Sequence, residues 1–520
     1  MSWQPELDEI AARSALAKAM GGAERVARQH SAGRLTVRER IDRLLDRDSF
    51  EEVGSISGRA GYDASGALAE FTPANCVTGR GAIDARPVIV CGDDFTIRGG
   101  SADASIWEKF KLAERTAFDF RLPLVRLIEG SGGGGSVKTI EERGYANLPG
   151  GLGGQSGGLF LCAQNLGEVP VVAIALGSVA GLGAARLCTS HYSLMVRDTA
   201  AVFVAGPPVV ERLGSAITKE ELGGYQRQTA AGTVDDVVDS EDQAFERARR
   251  FLSYLPSSVH QLSARQPCTD PIDRKEQALL SLVPRDPGQA YMMRRIIEAV
   301  VDRDSLFEMG ALYGKAMITA LVRLNGLSVA LMAGNPLHFG AAWDADTAQK
   351  VTRFVDFAET FHLPIVHLID CPGFRVGPEA EDSGMLRHGC RAISAITQST
   401  VPWCSIIIRN VFGVGGGTHQ PQSRTALRYA WPSARWGSLP LAGGVEAAYR
   451  AELDQSDDRD AALAAIEARL AMLQSPIHTA AAFGVEEIVD PRDTRRLLCR
   501  FAELAEPLRQ VGRTAFTMRP

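Results

Sequence analysis

Two short turns in this chain have the residue types to hold a developing negative charge: Gly181-Leu182-Gly183 and Gly413-Val414-Gly415. Each ends an apolar run that opens on Val-Pro, at Val169-Pro170 and at Val401-Pro402. A strand that stops in Gly-x-Gly and feeds a helix leaves backbone N–H groups without intrahelical acceptors. Glycine lets a ligand approach that backbone closely and takes dihedrals closed to other residues. Such donors suit an oxyanion. One turn alone is explained well enough by close strand-to-helix packing; the same turn at equivalent places in two parts of the chain points to chemistry.

Other chemistry-bearing groups are weaker. Gly154-Gln155-Ser156-Gly157-Gly158 matches the Gly-x-Ser-x-Gly elbow of serine hydrolases, but a glycine-rich stretch precedes it where a β-branched strand is needed. Glycine-rich segments at 130–135 and 150–158, including Gly133, Gly134, Gly153 and Gly154, follow a strand and could cradle a ligand. Neither carries the Gly-Lys-Ser/Thr of a P-loop or a clean dinucleotide fingerprint. His388 reads as a polar residue near a helix start and His419 as a loop residue. Arg98, Lys109 and Lys111 flank a helix where phosphates could be met, although a solvated helix face explains the lysines too. No HExxH, EF-hand or Cys/His ligand pattern occurs, so no catalytic metal is expected.

The elements that must position the turns are repeated as well. Asp46-Arg47-Asp48-Ser49 returns as Asp302-Arg303-Asp304-Ser305, and Leu122-Pro-Leu-Val-Arg-Leu-Ile-Glu129 returns as Leu363-Pro-Ile-Val-His-Leu-Ile-Asp370. Three matches in one order indicate an internal duplication. In each half, short continuous apolar runs (87–91, 124–128 and 171–176; 328–332, 365–369 and 403–408) alternate with helical stretches (104–120 and 158–166; 346–361 and 386–400). That pattern predicts an α/β fold of buried, largely parallel sheet with right-handed crossovers. A proline cluster between Arg250 and Arg294 marks the boundary, giving an N-terminal domain at 1–260, a linker at 261–290 and a C-terminal domain at 291–520. Residues 6–45 read as one N-terminal helix, apolar at Ile10, Ala11, Leu16 and Ala17.

Bulk properties set limits on partners. The 520 residues are 45% apolar and 23% charged, enough for two sizeable cores. A net charge of −6 gives no broad field for nucleic acid or anionic lipid, so neither is an expected partner. The nine scattered cysteines, never spaced as CxxC, suit thiols in a reducing cytoplasm. The uncharged stretch Val169 to Ala185 is broken by Pro170, Gly177, Gly181 and Gly183, so a buried strand is expected there and not a membrane span.

At four further segments the chain resembles the carboxyltransferase (β) subunit of biotin-dependent acyl-CoA carboxylases, the group that includes propionyl-CoA and 3-methylcrotonyl-CoA carboxylase. These are Phe203-Val-Ala-Gly-Pro-Pro-Val209, Glu220-Glu-Leu-Gly-Gly224, Ile369-Asp-Cys-Pro-Gly-Phe374 and Gly384-Met-Leu-Arg-His-Gly389, within a likeness running from Arg38 to about Trp436. The resemblance implies two tandem crotonase-like domains. It implies acyl-CoA on the N-terminal domain, carboxybiotin on the C-terminal domain, and an active site formed between subunits of a homo-oligomer, a hexamer of this chain. By position it puts one oxyanion hole at the N–H groups of Gly181 and Leu182 and the other at those of Val414 and Gly415, with Gly373, Phe374, Gly416 and Gly417 among the ligand-binding residues. The implied reaction transfers CO2 from carboxybiotin to the enolate of an acyl-CoA, with biotin supplied by a biotinylated carboxylase or carrier (α) subunit. The alternative within the same fold is a decarboxylase subunit acting on a malonyl-type CoA ester, and a non-catalytic paralogue is the further alternative. Leu182 departs from the family's usual Gly-Gly, and Thr418-His419 replaces a more aromatic segment.

Overall fold

The computed structural model describes residues 2–100, 106–130, 140–141, 144–146, 157–422, 425–438 and 441–520. Gly133, Gly134, Gly153, Gly154 and Ser156 lie outside the described residues. The chain divides into two compact units, residues 1–261 with 512–520, and residues 262–511.

The first unit is built on strands β1 (Glu51–Val53), β2 (Gly58–Tyr62), β3 (Leu68–Pro73), β4 (Cys76–Ile83), β5 (Arg86–Asp93), β6 (Leu124–Gly130), β7 (Val171–Ala180), β8 (Tyr192–Val196), β9 (Ala201–Phe203) and β10 (Asp236–Val238). Its main sheet runs β1-β4-β5-β6-β7-β8-β10, with β9 paired to β7, while β2 and β3 form a separate hairpin. The second unit holds β11 (Phe307–Met309), β12 (Met317–Leu324), β13 (Leu327–Gly334), β14 (Ile365–Cys371), β15 (Trp403–Phe412), β16 (Leu427–Ala430) and β17 (Arg435–Gly437). Its order is β11-β12-β13-β14-β15-β16, with β17 paired to β15.

The two sheets repeat one plan. An antiparallel hairpin, β4–β5 or β12–β13, starts each, and parallel pairing follows from β5 through β6 to β7 and from β13 through β14 to β15. The crossover helices are Trp107–Phe120 and Gly157–Asn165 in the first unit, and Ala345–Thr360 and Met385–Gln398 in the second. The duplicated α/β architecture is therefore as the sequence indicates. Continuous burial on both faces explains the unbroken apolar runs: β6 and β14 are buried at every residue.

Three boundaries differ from the sequence reading. The N-terminal region is three helices, Gln4–Lys18, Ala23–Ser31 and Val37–Leu44, not one. Left-handed residues at Met20, Gly22 and Gly33 break it, and Thr36 with Glu39 forms a capping box that starts the third helix. The proline-rich segment expected to be a free linker belongs to the second unit, where Leu279 enters the core beside Ile296 and Val300. The last residues return to the first unit, where Gly512 N–H meets Val259 O at 2.7 Å and Arg513 pairs with Glu168 at 2.7 Å.

Candidate active site

Both long strands overrun the sheet in the same way. Between Ile128 and Gly130 of β6 the register with β7 shifts, so one residue, Glu129, faces three, Leu176, Gly177 and Ser178. The identical shift separates Ile369 and Cys371 of β14 from β15. Up to the shift, β7 pairs with β8 and β15 with β16; beyond it, Ser178–Ala180 pairs with β9 and Asn410–Phe412 pairs with β17. Bulges of this kind bend a strand out of its ladder and re-aim its end. Here they carry Gly181 and Gly413 to matched positions past the sheet.

The turns themselves need glycine. Gly181 has φ 55° and ψ −121°, and Gly413 has φ 59°, both in space that side chains rarely enter. Short helices follow at once, Leu182–Cys188 and Gly413–Gly417. The Gly181 N–H is already bonded to Val204 O at 3.1 Å and Phe203 O at 3.3 Å. That removes it from the donor pair read from the sequence. The N–H groups of Leu182 and Gly183, and of Val414 and Gly415, find no acceptor among the described residues. The unpartnered N–H groups of the first turn thus lie one residue beyond the pair expected there, and those of the two turns align on the repeat.

A second repeated backbone device was not legible in advance. After β5, Arg98, Gly99 and Gly100 take φ of 50°, 62° and 66°; after β13, Phe339, Gly340 and Ala341 take 50°, 58° and 68°. Three consecutive left-handed residues turn backbone toward the strand ends, at a cost for Arg98, Phe339 and Ala341 that other contacts must offset. Gly100 is packed so closely that a Cβ there would sit 2.5 Å from Glu129 O. The only sequence signal was Gly99-Gly100 beside Gly340-Ala341, which no named motif covers.

Around the second turn, the expected ligand contacts divide. Phe374 packs its ring on Gly415, where a Cβ would approach it to 2.9 Å, and Trp343 N–H holds Gly373 O at 3.0 Å. Gly416 is closed against Cys371 O, 2.7 Å from a would-be Cβ, so it serves packing. Gly417 alone of that pair faces open space. His419 is buried: its Nδ1 bonds Gly416 O at 3.0 Å, and its carbonyl accepts from Trp403 Nε1 at 3.0 Å and Ser405 Oγ at 2.8 Å. It fixes the loop after the turn. His388 sits on the helix Met385–Gln398 with a buried Nδ1 that has no partner among the described residues. Lys109 is not on a solvated face; it is buried, with Nζ 3.0 Å from Gly54 O.

Behind the first turn, Leu182 packs against a core that includes Trp107 and Phe110. Arg186, four residues on, is buried, pairs with Asp93 at 3.0 Å and stacks over Phe110 at 4.3 Å. At the matched strand ends, Glu129 meets Arg40 at 2.5 Å and Arg34 at 2.6 Å, whereas Asp370 meets Asn410 Nδ2 at 2.7 Å, Tyr291 Oη at 2.8 Å and Arg409 Nε at 3.1 Å. Asp370 ties β14 to β15, the strand that carries the second turn, whereas Glu129 ties β6 to the N-terminal helical region.

Known proteins resemble this chain over nearly its whole length. Residues 28–513 match the carboxyl transferase domain family. The propionyl-CoA carboxylase beta chain of Cereibacter sphaeroides is 31% identical over 510 residues, covering 96% of each chain. The methylmalonyl-CoA carboxyltransferase 12S subunit of Propionibacterium freudenreichii subsp. shermanii is 32% identical over 519 residues, covering 97% of this chain and 95% of the relative. A crystal structure of transcarboxylase 12S, a hexamer solved with methylmalonyl-coenzyme A and methylmalonic acid bound, superposes with a TM-score of 0.87 at 28% identity over 99% of both chains. With the duplicated fold, the paired turns and a match across nearly its whole length, the chain belongs to the carboxyl transferase domain family.

Proposed function

We propose that this chain is the carboxyltransferase component of a biotin-dependent acyl-CoA carboxylase, with acyl-CoA bound by the first unit and carboxybiotin by the second. The observation that carries the reading is the matched pair of backbone donor sets, Leu182 and Gly183 in one half and Val414 and Gly415 in the other, at the ends of identically shifted strands. A reaction that develops negative charge on two separate ligands has use for two such sets.

The residues suit both ligands. The thioester oxygen of an acyl-CoA would be held by the Leu182 and Gly183 N–H groups. A flat ureido ring would meet Val414 and Gly415, where Val414 is 65% exposed and Gly417 faces open space. Carboxybiotin, brought by a biotinylated partner subunit, supplies the CO2 and the basic ureido nitrogen. The protein's part is to orient the thioester, to stabilise the oxyanion with fixed backbone dipoles and to exclude water; each donor of this kind contributes about 3 kcal/mol to a transition state. Assembly as a hexamer and a cytoplasmic location belong to the same proposal, the latter supported by nine free thiols. No helix among the described residues is long and apolar enough to cross a membrane.

The test is reconstitution with a biotinylated partner, following bicarbonate-dependent ATP turnover across a panel of acyl-CoAs. Turnover with at least one acyl-CoA is expected. Acyl-CoA binding without turnover under any partner would favour the decarboxylase reading, and absence of acyl-CoA binding would favour a non-catalytic paralogue.

A further inference from the structure

We propose that a cavity in the second unit, at the carboxyl ends of β13, β14 and β15, is a binding site for a carboxylate carried on an apolar body. The cavity holds about 1220 Å³, somewhat above the roughly 300–1,000 Å³ common for small-molecule sites. Leu279, Val283, Phe412 and Trp431 give it apolar walls. Charge enters from Arg285, Arg409 and Arg435, against one lining carboxylate among the described residues, Glu467.

The three guanidinium groups are not equivalent. Arg409 is occupied, with Nε on Asp370 at 3.1 Å and Nη1 on Gln289 O at 2.8 Å. Arg435 gives one Nη2 bond to Asn410 Oδ1 at 2.7 Å, while its Nε is buried with no partner. The nearest acid acting on Arg435 is Asp370, which is already held by Arg409, Tyr291 and Asn410. Burial, and then the charge of Arg409, make Arg435 easier to deprotonate than an ordinary arginine. A half-buried guanidinium whose Nε is buried and spare is relieved by an anion, and its planar fork fits a carboxylate.

The first unit shows the contrast. There the matched strand end carries Glu129, and the arginines that reach it, Arg34 and Arg40, are neutralised inside the chain, Arg40 by Glu241 at 2.8 Å as well. In the second unit the equivalent surplus of positive charge opens onto a cavity. The apolar walls select a ligand with a hydrocarbon or ring body over a bare inorganic anion.

The proposal is tested on the full chain by calorimetric titration with octanoate and, in parallel, with 1-octanol, a neutral analogue of the same length. Octanoate is expected to bind one per chain, and Arg435→Gln to weaken it about 10-fold or more while leaving 1-octanol unchanged. Arg285→Gln, at an exposed position, should weaken octanoate by a smaller factor. Failure of octanoate to bind at millimolar concentration, equal binding of octanoate and 1-octanol, or equal affinity of wild type and R435Q would each overturn the proposal. Should R435Q fail to fold, an unchanged octanoate affinity in R285Q overturns it.

Discussion

At the first turn, Leu182 sends its side chain into the core beside Trp107 and Phe110; at the second, its counterpart Val414 stands 65% exposed. The backbones are alike and the surroundings are not. One turn is anchored through its own side chain and by a buried Arg186–Asp93 pair four residues on, whereas the other is supported from outside by Phe374 against Gly415 and by His419 on Gly416. Duplication therefore preserved the backbone that leaves these helix-start N–H groups unpartnered and let drift what holds each segment in place. Such drift is what two ligands of different shape would select.

That comparison can be broken in four ways. The largest effect is expected at Glu129, whose carboxylate is shared by Arg34 and Arg40. Glu129→Ala leaves two guanidinium groups short of a partner and should cost about 3–5 kcal/mol, read as a lowered urea midpoint of the first unit. Next come Leu182→Pro and Val414→Pro, which delete one N–H each in the first turn of a helix, where proline is tolerated. Each should lower kcat by about 10²–10³. Isotope-exchange assays should find acyl-CoA enolisation impaired in the first and carboxyl exchange with biotin impaired in the second; identical defects would end the claim that the turns serve different ligands.

The third concerns acid. The third residue of β6 is Arg126, paired with Glu114 at 2.8 Å, and the third residue of β14 is His367. Burial, and then His419 beside it, hold His367 down to about 3. Its folded value lies below its ordinary one of about 6.5, so the unfolded chain takes up a proton that the native chain refuses. Stability is full above about pH 6.5 and is lost as pH falls toward 3, by about 2 kcal/mol at pH 5. Urea unfolding at pH 7 and 5 should show this loss, and His367→Asn, which keeps a donor for His419 O, should remove most of it. The smallest effect separates the turn side chains: Leu182→Ala should cost about 1–2 kcal/mol, and the exposed Val414→Ala should stay within about 0.5 kcal/mol, both read from thermal melts.

The sequence carried the duplication, the strands and the crossovers because buried parallel strands announce themselves as apolar runs. It did not carry the last four residues of either long strand. Gly177-Ser178 and Arg409-Asn410 interrupt the apolar pattern just where the strand leaves its ladder, so the runs were read as ending at Leu176 and Ile408. The left-handed segments were hidden for a different reason: Arg98, Phe339 and Ala341 adopt φ that their types do not advertise. Gly181 was legible as a turn but not as a spent donor, because its acceptors, Phe203 and Val204, arrive from a strand more than twenty residues later. The partners of Glu129, Arg34 between two helices and Arg40 in the second of them, come from nearly a hundred residues earlier, which no local pattern reveals.

The central claim, that helix-start amides in each half hold an oxyanion, is tested most directly by a structure with acyl-CoA bound. The thioester oxygen is expected about 3 Å from the N–H groups of Leu182 and Gly183, with the Gly181 N–H still on Val204. A thioester oxygen lying away from both amides, with the turn bare, would contradict it.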